Sequence, residues 1–217
     1  MIRRKRLDIC LLGFLILCIG CVPKSRTTLS PGSPEDLPGC YAIFPAEPWE
    51  SVHKIEANLK GASSSLIGVT KGEPSERTLQ SVLLSPEGFI LFDAVCTDNG
   101  IVVRKAVAPF DSPAFARGLI DDVSLLFLPP KAKPTTWGKE TNGTVTCKWE
   151  GPDDSHTEIT GSMDNGWRIL RRDTCGEVTK EILLSGPFLN GLASRIEYRA
   201  FKPTPYTLRM TLIQPSP

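Results

Sequence analysis

Short runs in which apolar and polar residues alternate with period two, placed on both sides of one helix-period segment, restrict this 217-residue chain to a mainly β fold. His53, Ile55, Ala57 and Leu59 alternate with Lys54, Glu56 and Asn58, the pattern of a half-buried strand. Residues 64–71 follow, with Ser65, Ile67 and Val69 on one side, and then 78–85. Ser85, Pro86, Glu87 and Gly88 turn the chain into 89–97, and Asp98, Asn99 and Gly100 turn it again into 101–108. Five strands joined by such turns predict an antiparallel meander. The fourth, from Phe89 to Cys96, is interrupted only by Asp93 and is predicted to be covered on both faces.

One segment changes period. Ser112 suits a helix N-cap and Pro113 the first helical position, after which Phe115, Leu119, Ile120, Val123, Leu126 and Phe127 recur at helical spacing. Arg117, Asp121, Asp122 and Ser124 fall opposite, and Pro129 and Pro130 stop the helix. Strand patterns return over 144–150, 156–162, 167–173, 177–184, 195–201 and 206–213. In the last of them Tyr206, Leu208, Met210 and Leu212 share a face opposed to Thr207, Arg209 and Thr211. The expectation is a long antiparallel sheet of ten or eleven strands that curls around a single amphipathic helix.

The N-terminus carries a different signal. Arg3, Arg4, Lys5 and Arg6 precede an apolar stretch from Ile9 to Ile19, which is about half the ~20 residues needed to span a bilayer. Cys18, Ile19, Gly20 and Cys21 close it, with the small Gly20 directly before the cysteine. The segment resembles a bacterial lipoprotein signal, with Cys18 where Leu is usual. The resemblance implies cleavage before Cys21 and acyl chains on its sulfur and amine, a membrane anchor without a spanning segment. Val22 stands where an Asp would retain the protein at the inner membrane, so the implied address is the periplasmic face of the outer membrane.

Without residues 1–20 the chain keeps 21 basic against 23 acidic residues, a balance that argues against a nucleic-acid partner. Residues 22–38 are rich in Pro, Ser, Thr and Gly, and 21–45 reads as a lipidated, flexible tether ahead of one domain over 46–217. Cys40, Cys96, Cys147 and Cys175 allow three disulfide pairings. Cys147 with Cys175 is preferred, since both sit near strand ends in the same half, and Cys96 reads as a buried thiol. These four cysteines include no closely spaced pair and His53 and His156 are isolated, so no metal or other cofactor is expected. The sequence has no Gly-x-Ser-x-Gly, phosphate-loop or His-Glu-x-x-His motif, and His156 beside Asp153, Asp154 and Ser155 reads as a solvated turn, so a non-enzymatic role is expected.

The hairpin residues Leu84, Ser85, Pro86, Gly88, Leu91 and Phe92, the segment 113–130 with Pro129 and Pro130, and 182–213 together resemble the LolA/LolB-like lipoprotein carrier and receptor superfamily. They look most like a group of outer-membrane lipoproteins encoded beside aryl-polyene pigment genes. The resemblance implies an unclosed antiparallel β half-barrel whose helix covers the concave face, and a cavity that accepts acyl chains. Ligand-binding residues would then be Phe89, Leu91, Val103, Phe115, Leu119, Val123, Trp167, Leu208 and Met210, with Ile55, Leu59, Ile67, Val69, Ile169 and Tyr198 on the same apolar faces. A receptor of that superfamily probes the membrane with an apolar loop residue, whereas the comparable tip here is Pro86, Glu87 and Gly88, and a carboxylate does not favour insertion. The expected partners are the membrane through the acyl anchor, a hydrophobic ligand, and a periplasmic carrier or outer-membrane protein, with the chain a monomer. The alternative is an interaction lipoprotein of the same fold whose core is filled.

Overall fold

A computed structural model describes residues 32–59, 61–151 and 154–216; the leader and Cys21 lie outside them. A 3-10 helix over Pro34–Tyr41 precedes strands β1 (Trp49–Leu59), β2 (Ala62–Glu73), β3 (Thr78–Leu84), β4 (Ile90–Thr97) and β5 (Gly100–Ala106). The helix α1 (Pro113–Phe127) follows, and then β6 (Thr136–Lys139), β7 (Val145–Glu150), β8 (His156–Ser162), β9 (Gly166–Arg172), β10 (Val178–Leu189), β11 (Leu192–Ala200) and β12 (Tyr206–Ser216). All twelve strands form one sheet in the order β5-β4-β3-β2-β1-β12-β11-β10-β9-β8-β7-β6. The sheet is an unclosed antiparallel half-barrel. The first and last strands pair at its centre, from Glu50 with Ser216 to Leu59 with Tyr206, and α1 falls in the chain between the strands of the two open edges. The strand that sequence patterning does not reveal is β6, whose four residues are too few to show a period.

Local chemistry starts and stops the helix as expected. The Ser112 hydroxyl accepts a hydrogen bond from the Phe115 N–H at 3.1 Å and Pro113 occupies the first turn. At the other end Leu128 is extended and Pro129 and Pro130 follow. Ala116, Ile120, Leu126 and Phe127 are buried, with Leu119, Val123 and Leu125 packed beside them. The Phe127 ring lies 4.8 Å from Trp49 and 5.9 Å from His53, and Phe115 lies 6.1 Å from Phe92 and 5.1 Å from Phe110. These contacts seat the helix on the inner face of β1 and β4.

The pairing register fixes that inner face. Ser51, His53 and Ile55 of β1 stand opposite Thr70, Gly68 and Leu66 of β2, and beyond them come Ser81 and Leu83 of β3 and Ala94 and Phe92 of β4. Ile67 and Val69 therefore point to the convex side, against the sequence expectation. The reason is steric. A Cβ on Gly68 would sit 2.7 Å from Ile55 Cδ1, and one on Gly72 would sit 2.4 Å from Trp49 Nε1, so the inward positions of β2 must be small and look polar in sequence. The outer face of β4 is also less covered than its composition suggests. Phe92 and Ala94 are fully buried inside, but Asp93 and Val95 are only half-buried and Ile90 is exposed, because the sheet is a single layer there.

Two further expectations need correction. The tether reading of 21–45 ends too late, since Cys40, Ile43, Phe44 and Pro45 are buried in the domain and Ser33 accepts from the Glu35 N–H as an N-cap. Composition misleads because a 3-10 cap built on Pro34 and Pro38 has no apolar period to display. The second concerns the cysteines: Cys147 pairs with Cys40 rather than with Cys175. Cys147 points inward from the middle of β7, opposite Ile159, where the 3-10 helix packs, while Cys175 sits in the β9–β10 turn and is bonded to a different cysteine. Cys96 is a free, half-buried thiol.

His53 makes stability depend on pH. Its ring is buried on the inner face of β1, and burial pulls its pKa down to about 4 from the ordinary 6.5. The folded protein keeps the ring neutral while the unfolded chain protonates it below pH 6.5, so this contribution is flat above that pH and negative below it. Stability is expected to fall by about 3 kcal/mol between pH 6.5 and pH 4, at ~1.4 kcal/mol per pK unit. Urea unfolding at pH 7.5, 5.5 and 4.5 checks this, and His53→Gln is expected to flatten the slope.

Candidate functional site

The concave face of the sheet beneath α1 holds most of the sequence-derived binding residues. From β1 across β12 and β11 to β10, inward residues run Ile55, Met210, Ile196 and Leu184, and in the next row Ala57, Leu208, Tyr198 and Ile182. Four of the sequence-derived binding residues gather here. Leu119 and Val123 on α1, with Leu208 and Met210 on β12, belong to one apolar cluster with the buried core, whereas Phe115 packs against Phe92 of β4 and Phe110. Trp167 is buried on the same face but on β9, toward the opposite end of the sheet order. Val103 faces inward on the edge strand β5 opposite Ala94 and is largely uncovered. The other two do not join the set. Leu91 is the extra residue of a bulge opposite Leu83 and Leu84, and Phe89 is 70% exposed in the β3–β4 turn, beside Glu87. The tip of that hairpin thus presents an aromatic ring as well as a carboxylate.

A polar cluster on this face escaped the sequence reading. Asp122 was placed on the solvent side of the helix, but its carboxylate turns to the sheet. It accepts hydrogen bonds from Tyr198 at 2.5 Å and from Tyr206, and pairs with the ammonium group of Lys180. The two phenol rings stack at 5.6 Å with only 6° between their planes. Burial first, and then the neighbouring Asp122 charge, push both hydroxyls well above their ordinary pKa, so both remain donors. The signal was present in the spacing: Asp122 lies three residues after Leu119 and four before Leu126, on the flank of the buried stripe, and Lys180 shares its strand parity with Ile182 and Leu184.

The space between helix and sheet is occupied by side chains. Leu79, Phe92, Ile120 and Tyr198 have almost no exposed surface. Two recesses with mixed polar and apolar linings open at the surface of the sheet. The larger, of about 690 Å³, is lined by Glu56, Glu197 and Arg209 together with Ala57, Tyr198 and Leu208. The smaller, of about 380 Å³, includes Glu50, Lys71, Glu73, Gln80 and Arg104. Among the described residues no helix is long and apolar enough to cross a membrane, and no group of three or more His, Cys, Asp or Glu could hold a metal ion.

No family model matches the sequence, and no curated protein is similar to it in sequence. Solved structures share its architecture. A LolA superfamily protein from Nitrosomonas europaea superposes with a TM-score of 0.54 at 9% identity, covering 86% of this chain and 94% of that one. An outer membrane lipoprotein-sorting protein domain from Vibrio parahaemolyticus gives 0.51 at 9% identity, covering 84% and 90%. At such identity the likeness concerns the backbone alone, and together with the register described above it assigns this chain the LolA-like fold.

Proposed function

We propose that the protein is a lipid-anchored, non-enzymatic component of the bacterial envelope that binds a hydrophobic ligand between its concave sheet and α1. The observation that carries this reading is the construction of the interface. The sheet is bound together by backbone pairing, whereas α1 is held to it by apolar packing and the cluster around Asp122, which makes the helix the layer that can lift. Magnitudes allow it. Burying a sixteen-carbon chain is worth on the order of 12 kcal/mol at ~0.8 kcal/mol per CH₂, which is available to offset parting Asp122 from Lys180 and uncovering the apolar face of α1. The leader motif, Cys21 and Val22 support anchoring at the periplasmic face of the outer membrane, with residues between Cys21 and the 3-10 helix as the spacer. Acyl chains, a lipoprotein's lipid moiety and a lipid-linked pigment precursor are the ligand classes that suit such a site, and the lipoprotein-sorting role named for the Vibrio parahaemolyticus domain fits the same reading.

Native mass spectrometry of protein expressed without residues 1–20 tests it, with a co-purified or exchangeable lipid as the expected result. Leu119→Asp and Val123→Asp are expected to abolish loading by at least tenfold while leaving the full-length protein membrane-bound. Protein that never carries or takes up lipid would instead favour an interaction lipoprotein, the reading to which the filled interior lends weight.

A further inference from the structure

The two open edges of the sheet are treated differently. At one, β6 is four residues long, and the chain at Gly32 and Ser33 lies against it: a Cβ on Gly32 would approach the Trp137 carbonyl oxygen to 2.7 Å, and the Trp137 indole N–H donates to the Ser33 carbonyl at 2.9 Å. At the other, β5 is seven residues long and pairs only with β4. Its remaining backbone N–H and C=O groups face outward as an unpaired row. Val102 and Val103 flank that row on opposite faces, 64% and 43% exposed.

Charge distinguishes this edge further. The strand carries Arg104 and Lys105 and no acidic residue. Arg104 is the extra residue of a bulge and reaches Asp93 only at 4.0 Å, while the Lys105 ammonium group has no ion-pair partner among the described residues. A basic charge and a bulge are ordinary protection of an edge, yet protected edges do not also present two bare valines. Backbone groups along an extended strand recognise another extended strand, and alternate side chains set the preference.

We propose that β5 is a docking edge for an extended segment of a partner protein, rich in Asp or Glu alternating with β-branched residues, which adds to the sheet as a thirteenth strand beyond the twelve present. Such a segment would pair with the free row, cover Val102 and Val103, and neutralise Arg104 and Lys105. Apart from Val103, the surface lies outside the lipid site proposed above, and the proposal does not depend on it.

Hydrogen exchange on the full-length protein in detergent micelles, with the synthetic peptide acetyl-Glu-Val-Glu-Val-Glu-Val-Glu-amide as probe, tests the proposal. Amides of Gly100–Ala106 that point away from β4 are expected to slow by at least tenfold at saturating peptide. A peptide with alternate amides N-methylated is expected to lose this effect, and one with Lys in place of Glu to bind at least tenfold more weakly. The double variant Arg104→Glu, Lys105→Glu is expected to reverse the charge preference with an unchanged circular dichroism spectrum. Unchanged exchange in β5 at millimolar peptide, or equal protection by the N-methylated peptide, would overturn the proposal. So would protection that rises with protein concentration when no peptide is present, which would mean that the edge pairs two copies of this chain.

Discussion

Replacing Cys40 and Cys147 together by Ser is expected to destabilise the domain by about 4 to 5 kcal/mol, the value for a crosslink closing a loop of ~100 residues. The bond spans 107 residues and both of its cysteines are completely buried. It joins the 3-10 helix, which precedes the first strand, to β7 in the second half, so its absence frees the cap as well as enlarging the unfolded ensemble. At roughly 2 to 4 °C per kcal/mol for a domain of this size, the melting temperature should fall by about 10 to 15 °C. Scanning calorimetry of the double variant checks this without disturbing Cys175. A fall below about 3 °C would show that the cap is held by its packing alone, through Ile43, Phe44 and the contact of Tyr41 with Trp149 at 6.3 Å.

The second large effect concerns Asp122. Asp122→Ala removes the acceptor of two phenols, Tyr198 buried and Tyr206 half-buried, and leaves the Lys180 ammonium, whose side chain is only 17% exposed, without its counter-charge. Breaking a buried pair from one side costs about 3 to 5 kcal/mol, whereas replacing both partners by apolar groups is often close to neutral. Asp122→Ala combined with Lys180→Met should therefore recover more than half of the loss. Denaturant unfolding of the two single variants and the double variant measures the coupling directly. The same variants probe function: if α1 must lift, Asp122→Ala should take up lipid faster than the parent protein although it is less stable. Equal uptake rates would separate the cluster from ligand entry and leave it as an internal fastener.

Patterning carried most of the architecture because nearly every strand is half-buried and α1 is amphipathic. The runs in 78–85, 89–97 and 206–213 correspond to β3, β4 and β12, and the 113–127 periodicity to α1. Faces were legible where inward side chains are large, as on β12, and illegible on β2, where glycine and hydroxyl residues yield space to Ile55 and Trp49. The candidate site was half legible. Apolar residues announce their side by period, so Leu119, Val123, Leu208 and Met210 fall into one cluster, while Phe115 packs on Phe92 and Phe110. Asp122, Lys180 and Tyr206 were not recognised as a unit, because a charge on a helix flank is normally solvated and only the three-dimensional meeting of α1, β10, β11 and β12 supplies its partners. Cysteine pairing was equally hidden, since it depends on a cap whose composition imitates a linker.

The adjacency of β1 and β12 has a consequence for biogenesis. With the proposed export N-terminus first, β1 is delivered early and its central neighbour only after the other ten strands, so the middle of the sheet stays unzipped until β12 has crossed. Every intermediate before that moment exposes a long unsatisfied strand at what will become the heart of the molecule. Maturation must therefore wait for β12, and loss of that strand would leave two meanders joined only through α1 and the Cys40–Cys147 crosslink.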